Sequence, residues 1–347
     1  MLNLLRRAGV PGGIPRGTTD GRSHVCGVPD ELAIEIDSDG SPVSFPAADW
    51  FVCFVPGLQK QWWHRFAAAK YQHVFVMRRV DDSSWILVEP WWTRMLVNVL
   101  TLDEAVKFLR WGASGKILQI REAIPGSGNQ ARGWSNCAVL TAFLLGRAYW
   151  TWTPHGLHRR LSTEPGARPI DLAQWLAEHV RAVATRNSDQ ALAELDATAD
   201  TSLRSALLQL GNGIMTALLS RSGLALYKLA ISESGRFEAA ANAYWEFAPK
   251  RAIEAVRKVL EQAQSRVEIH VEDPAAVARQ FFAMLRGDIH LEILFGSRGY
   301  PSATEIHLRV TSAVDVLLNG ARLLAHAPTC QTADVAPPPI AVAGAAQ

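Results

Sequence analysis

The 347-residue sequence lacks most of the features that identify a metal site, a disulfide scaffold or a membrane protein. Its four cysteines lie far apart and form no CxxC pair, which excludes a zinc knuckle and a disulfide framework. No His, Cys, Asp or Glu cluster has metal-ligand spacing, so we expect no metal and no cofactor. The longest apolar run, AVLTAFLL, is much shorter than a membrane span. We therefore expect a soluble, cytoplasmic protein with no membrane partner.

Net charge is also small. Lys and Arg together number 35 and Asp and Glu 33, which gives a formal charge of +2. Such a balance provides no chain-wide attraction for a phosphate backbone, so binding to nucleic acid would need a local basic patch.

What the sequence does contain is an uneven distribution of tryptophan. Ten of the 12 tryptophans fall between Trp50 and Trp152, whereas the chain beyond residue 200 has only Trp245 and is rich in Ala, Leu, Glu and Arg. The length and this shift in composition predict two domains. We assign a loosely ordered leader at 1–48, an α+β Trp-rich domain at 49–165, an all-α helical domain at 169–324 and a disordered tail at 325–347.

The first domain shows strand and helix signals in turn. The runs QHVFVMRRV and SSWILVEP are β-branched and predict a hairpin, and KILQIREAI and AYWTWTP predict further strands. Thr101 followed by Glu104 predicts a capped helix over LTLDEAVKFLRWGA. A second helix should begin after Ser135 or Asn136 and end near Gly146.

From Pro169 onward, apolar residues recur at helical spacing almost throughout. Asp273-Pro274 predicts a helix start, because the carboxylate lies at the positive helix end and proline needs no amide hydrogen bond there. The last long segment, ATEIHLRVTSAVDVLLNGARLL, carries one apolar stripe. The residues of that stripe are Ile306, Val310, Val314, Leu317 and Leu318.

Several short sequence words in this helical part resemble the C-terminal regulatory domain of TetR-type transcriptional repressors, in particular the AefR-like subgroup. These are Leu226-Tyr227, Arg236-Phe237, Pro249 before Lys250-Arg251, and Asp273-Pro274 leading to Ala278-Arg279-Gln280-Phe281. The resemblance covers roughly a third of the chain, which is the size of one ordinary domain.

The resemblance implies a helical bundle that forms a homodimer through its last helices and binds a small apolar ligand, whose binding shifts the helices. Candidate ligand-binding residues are Tyr227, Phe237, Tyr244, Trp245 and Phe282, which as aromatic residues at helical spacing are explained equally well as core. No helix-turn-helix is recognisable ahead of this region, so direct DNA binding by the chain is doubtful.

One constellation in the first domain suggests catalysis. His73 begins a hairpin strand, Glu89 lies near the end of the next strand, and Cys137 is placed at the first turn of a helix. A helix N-terminus stabilises a thiolate, a nearby imidazole can hold the proton, and a carboxylate can orient the imidazole. This order of residues resembles circularly permuted papain-like cysteine enzymes, such as lecithin retinol acyltransferase-like proteins and permuted bacterial cell-wall peptidases.

The sequence also allows other roles for these residues. Cys137 and His73 could be ordinary packed residues, and His155 or His158 could serve Cys137 in place of His73. The leading functional hypothesis is a TetR-type regulatory domain for small-molecule sensing and dimerisation, fused to an α+β domain. The second is a cysteine hydrolase or acyltransferase of peptide or amide bonds with Cys137 as nucleophile, and the third is a gene fusion without selected function.

Overall fold

The computed structural model of the chain describes residues 46–58, 67–91, 94–124, 136–149, 151–193 and 202–325. Most of the predicted leader and the predicted tail beyond residue 325 therefore lie outside the described residues. In the described part, a small antiparallel sheet near the N-terminus is followed by a helical C-terminal region.

The sheet has six strands in the order β4-β3-β2-β1-β5-β6, and every neighbouring pair is antiparallel. The strands are β1 (Asp49–Val55), β2 (His73–Arg79), β3 (Ser84–Pro90), β4 (Met95–Thr101), β5 (Lys116–Arg121) and β6 (Arg168–Pro169). The predicted hairpin is confirmed as β2 and β3, closed by a tight turn in which the amide of Val80 donates to the carbonyl of Ser84. The sequence prediction did not include β1, β4 or β6.

Three helices within this part of the chain pack against the sheet, and two of them begin where the sequence predicted. Helix α1 (Leu102–Ala113) has the capping box of Thr101 and Glu104, and α2 (Cys137–Leu144) is capped by Asn136. The strand predicted at AYWTWTP was wrong, because its described residues contain no strand. Instead the hydroxyl of Thr153 caps α3 (Pro154–Leu161), which has proline in its first turn, where the missing N–H costs nothing.

The remaining helices are α4 (Leu172–Leu192), α5 (Leu203–Leu219), α6 (Arg221–Glu233), α7 (Glu238–Phe247), α8 (Pro249–Ser265), α9 (Pro274–Arg286), α10 (Ile289–Leu294) and α11 (Ala303–Ala325). Two breaks divide the helical sequence between α7 and α10. Pro249 separates α7 from α8, because its ring and missing N–H cannot continue a helix, and Gly287 at φ 42° separates α9 from α10. The predicted cap of α9 at Asp273 is confirmed, since its carboxylate accepts from the amides of Ala275 and Ala276.

The sheet and the helical region share a hydrophobic core. One face of the sheet packs against α1, α4, α6 and α7, and we call this cluster the junction core. Trp175 of α4 lies in it, with its ring centroid 5.2 Å from that of Phe51 and 5.6 Å from that of Trp85. The opposite sheet face packs against α2 and α3. Helices α5, α8, α9 and α11 enclose a separate core, which includes the predicted stripe residues Ile306, Val310, Val314 and Leu317.

Two ion pairs between α1 and α6 reinforce the junction. Lys228 of α6 lies 3.0 Å from the carboxylate of Asp103 on α1, and Arg110 of α1 lies 3.1 Å from that of Glu233 on α6. The predicted separation of the chain into two domains is thus accompanied by direct apolar and ionic contact between them.

Among the described helices, none is by itself long and apolar enough to cross a membrane. Helices α5 and α6, which meet at a bend of 65°, satisfy the length and composition criteria only when taken together.

Candidate functional site: a Cys-His-Glu cluster and a cavity in the helical bundle

His73 and Glu89 are brought together by the hairpin of β2 and β3. The antiparallel register pairs Val76 with Val88, so the end of β3 lies beside the start of β2. The imidazole Nε2 of His73 lies 3.2 Å from Oε1 of Glu89. The Glu89 side chain is only 3 % exposed and that of His73 is 19 % exposed, so this contact is largely removed from solvent.

Cys137 is the first residue of α2, and its thiol lies close enough to the imidazole of His73 to raise the pKa of that ring. Asn136 fixes this helix start in two ways. Its Oδ1 accepts from the amide of Val139 at 3.0 Å, and its Nδ2 donates to the carbonyl of Trp152 at 2.8 Å. The thiol therefore lies at the positive end of a capped helix, where a negative charge is stabilised.

These contacts change the protonation of His73. Burial lowers the pKa of the imidazole, but the hydrogen bonds and charges of Cys137 and Glu89 outweigh burial and raise the pKa from 6.5 to about 9. Since Nε2 is directed at Glu89, Nδ1 is the ring nitrogen left for the thiol. At neutral pH the site thus favours a protonated imidazole at His73.

The second described thiol is a useful contrast. Cys53 on β1 is completely buried, and burial alone raises its pKa far above the usual range. Cys137 is only partly buried. Of the two, only Cys137 has a histidine partner and access to solvent.

The alternative histidines lie elsewhere on the sheet domain. His155 and His158 on α3 contact the ring of Tyr71, each at a centroid distance of 4.9 Å, and burial lowers the pKa of His158. The histidine whose pKa Cys137 raises is His73. The structure therefore brings together the three residues that the sequence singled out, Cys137, His73 and Glu89.

Sequence reasoning overlooked one neighbour of this cluster. The indole of Trp111, at the end of α1, stacks on the His73 ring with centroids 5.8 Å apart and planes 23° from parallel. No local pattern predicts this contact, because Trp111 and His73 are 38 positions apart, on a helix and a strand whose packing depends on the tertiary fold.

The helical region contains a cavity of about 50 Å³ between α4, α5, α6, α7, α8 and α9. Of the five predicted ligand-binding residues, Tyr244 and Phe282 line it. Tyr227 contacts Tyr244 and His290, Phe237 packs against the junction core, and Trp245 is 52 % exposed. Ligand pockets usually measure about 300–1,000 Å³, so a ligand of ordinary size would have to displace the surrounding helices.

Helices α10 and α11 expose apolar side chains to solvent. Phe295, directly after α10, is 81 % exposed, and Leu308 and Val316 on α11 are 64 % and 58 % exposed. Leu308 and Val316 are eight positions apart and so lie on one face of α11, opposite the stripe that enters the core. An apolar helix face of this kind is typical of a protein interface.

Comparison with known proteins identifies the class of the helical region. Residues 205–320 match the family described as AefR-like transcriptional repressor, C-terminal domain. The C-terminal part of the chain is therefore TetR-like, and we call it the TetR-like domain. Within that class, it is similar to the AefR-like group, as its sequence words predicted. No curated protein sequence matches the chain.

Several solved structures of transcriptional regulators are similar to part of the chain. A crystal structure described as a TetR-family transcriptional regulator from Mesorhizobium loti is 18 % identical with a TM-score of 0.41, and the match covers 53 % of this chain and 86 % of that one. The flavonoid-responsive regulator FrrA is 20 % identical with a TM-score of 0.38, over 52 % of this chain and 83 % of its own. A TetR transcriptional regulator from Agrobacterium tumefaciens is 16 % identical with a TM-score of 0.34, over 52 % and 81 %.

Proposed function

We propose that the sheet domain is a cysteine-dependent hydrolase or acyltransferase that acts on peptide or amide bonds. The observation that carries this proposal is the position of His73, which lies between Cys137 at a helix start and the buried carboxylate of Glu89, to which it is hydrogen-bonded. The resemblance in residue order to permuted papain-like enzymes supports the choice of an acyl substrate. The geometry supports it independently, because a thiol, a base and an orienting carboxylate are the parts that acyl transfer requires.

In the proposed reaction, Sγ of Cys137 attacks the carbonyl carbon and forms a carbon–sulfur bond, while the carbonyl π electrons move onto oxygen. Collapse of this adduct breaks the carbon–nitrogen bond, and the proton held on His73 passes to the departing amine. Water, or another nucleophile in a transferase, then attacks the thioester and gives its proton to His73. The carbon–sulfur bond breaks, the acyl product leaves and Cys137 is restored beside a protonated His73.

The first test is the alkylation rate of each cysteine, measured with iodoacetamide on the full chain by peptide mapping. We expect Cys137 to react much faster than Cys53, and His73→Ala to slow the reaction of Cys137 by roughly 100-fold or more at neutral pH, the range of a lost base. His158→Ala serves as the matched control, since His158 contacts Tyr71 and Phe54 and should leave the rate unchanged. Equal rates in wild type and His73→Ala would remove the proposal.

A second function is favoured by the helical region. We propose that the TetR-like domain forms a homodimer through α10 and α11 and responds to a small apolar ligand in the cavity lined by Tyr244 and Phe282. The exposed face of Leu308 and Val316 supports the dimer, and the apolar lining of the cavity supports the ligand class. In the described chain, the sheet domain directly precedes α4. We therefore propose that dimerisation brings two sheet domains together and does not position a DNA-binding domain.

Sedimentation of the full chain tests the dimer. Leu308→Glu combined with Val316→Glu should convert a dimer to a monomer, because two carboxylates per subunit would be buried without partners. Lys228→Glu, which changes charge at the junction on α6, is the control and should leave the dimer intact. A wild-type monomer at micromolar concentration would contradict the proposed interface. A protein with neither a reactive Cys137 nor a dimer would favour a fusion without selected function.

A further inference from the structure

We propose that Trp111 is a positioning residue for His73, an inference that rests on the proposed catalytic function. The stack between the two rings is the geometric basis, with centroids 5.8 Å apart and planes within 23°. An aromatic face at this distance attracts a cationic imidazolium and restricts rotation of the ring.

Two contacts hold the indole of Trp111 in place, and an ion pair holds its helix. Phe75, two positions after His73 on β2, stacks on it at 5.0 Å and 22°, and the indole Nε1 donates to the carbonyl of Pro56 at 3.3 Å. On the preceding residue of α1, the guanidinium of Arg110 is paired with Glu233 of α6. The indole therefore cannot easily leave the imidazole.

Two glycines keep this end of α1 close to the sheet. A Cβ on Gly112 would lie 2.9 Å from Sγ of Cys53, and one on Gly115 would lie 1.9 Å from the backbone oxygen of Phe54. The second distance involves backbone, so only glycine permits the observed packing there. Because these positions have no side chain, the end of α1 approaches the sheet closely enough for Trp111 to contact His73.

The consequence for His73 is a fixed ring plane. Glu89 holds Nε2 from one side, but a single hydrogen bond leaves the imidazole free to swing about that contact. The indole face removes this freedom and keeps Nδ1 directed at the thiol of Cys137. Trp111 also adds to the preference for the imidazolium that Glu89 and Cys137 establish.

The test compares Trp111→Leu, Trp111→Phe and Phe108→Leu in the full chain, with the pH dependence of Cys137 alkylation as the readout. Phe108 is the matched control because it lies on the same helix and contacts Phe75, 5.8 Å away, without stacking on His73. We expect Trp111→Leu to slow alkylation at neutral pH about tenfold, as expected for loss of a desolvated cation–π contact, and to move the pH profile. Trp111→Phe should retain most of the rate, and Phe108→Leu should leave the profile in place.

Titration of His73 by NMR provides a second measurement that a merely structural role would not move. The apparent pKa should fall in Trp111→Leu and recover in Trp111→Phe. An unchanged profile and titration in Trp111→Leu, or equal changes in Phe108→Leu, would overturn the inference while wild-type reactivity of Cys137 still depends on His73. If that dependence is itself missing, the proposed catalytic function fails first.

Discussion

The sheet domain and the TetR-like domain treat their buried histidines in opposite ways. In the sheet domain, His73 is hydrogen-bonded to the carboxylate of Glu89, and Cys137 and Glu89 together raise its pKa to about 9. In the helical domain, His290 is 1 % exposed, neither ring nitrogen has a hydrogen-bond partner among the described residues, and burial lowers its pKa to about 4. The first histidine is stabilised as a cation and the second as a neutral ring.

This difference shows where chemistry is concentrated. A buried polar group is costly unless it is paired, and the sheet domain meets that cost by building a network around His73. In the helical domain the neutral His290 lies against the ring of Tyr227, with centroids 4.1 Å apart. The two environments are consistent with the functions proposed above, proton transfer in the sheet domain and binding of an apolar molecule in the helical domain.

The largest expected effect on stability tests whether the two domains unfold together or independently. Leu176 of α4 is fully buried in the junction core, so Leu176→Ala should lower the free energy of unfolding by roughly 2–5 kcal/mol. Urea unfolding followed by tryptophan fluorescence, which reports mainly on the sheet domain, and by far-UV circular dichroism, which reports mainly on helices, should shift together. Val316→Ala, on the exposed face of α11, is the control and should change stability by less than about 0.5 kcal/mol. A shift of only one signal would show that the domains unfold independently.

A smaller effect is expected at the polar network. Glu89→Gln keeps the size of the side chain but removes the charge facing His73, so it should cost roughly 1–3 kcal/mol of stability. It should also slow the alkylation of Cys137, since the imidazolium loses a partner. Glu122→Gln is a control on the same sheet, because Glu122 accepts from Trp50 away from the site. Unchanged alkylation in Glu89→Gln would show that the carboxylate does not act on His73.

The pH dependence of stability should have the sign set by His73. Because its folded pKa lies above the unfolded value of 6.5, its contribution is complete below about pH 6.5 and is lost as the pH rises through about 9. The stability difference between wild type and His73→Gln should therefore shrink between pH 7 and 10, as measured by urea unfolding at each pH. The titration belongs to the coupled cluster with Cys137, so Cys137→Ser should shift the same window downward. A difference that grows with pH would contradict the assignment.

The smallest effect is expected at the ionic part of the junction. Lys228 is more than half exposed, so Lys228→Gln should lower stability by at most about 1 kcal/mol despite its 3.0 Å contact with Asp103. Added salt should reduce the difference further. A larger loss would mean that ion pairs, and not apolar packing, hold the two domains together.

Local signals predicted much of the fold. Capping residues located the starts of α1, α2 and α9, and hairpin composition located β2 and β3. The structure places the predicted residues Cys137, His73 and Glu89 in one cluster, and their catalytic role stays a prediction. Their strand-end and helix-start positions are the places where a base and a nucleophile can be held.

Other features depend on contacts that sequence patterns do not encode. Strand β1 is buried on both faces, so DWFVCFV shows no alternation of polar and apolar residues. Strand β4 carries exposed valines at positions 97 and 99, which contradict a simple inward-facing pattern. The prediction at AYWTWTP failed because aromatic and β-branched residues there favour a strand locally, whereas Thr153 and Pro154 begin a helix.

Helix α4 has a practical consequence for anyone who would transplant the TetR-like part into another protein. A cut before Leu172 follows the boundary in sequence, yet it would leave Leu176, Val180 and Val183 facing water where the sheet had covered them. A donor fragment would need polar replacements along that helix, or a substitute sheet, before it could be carried as a portable unit.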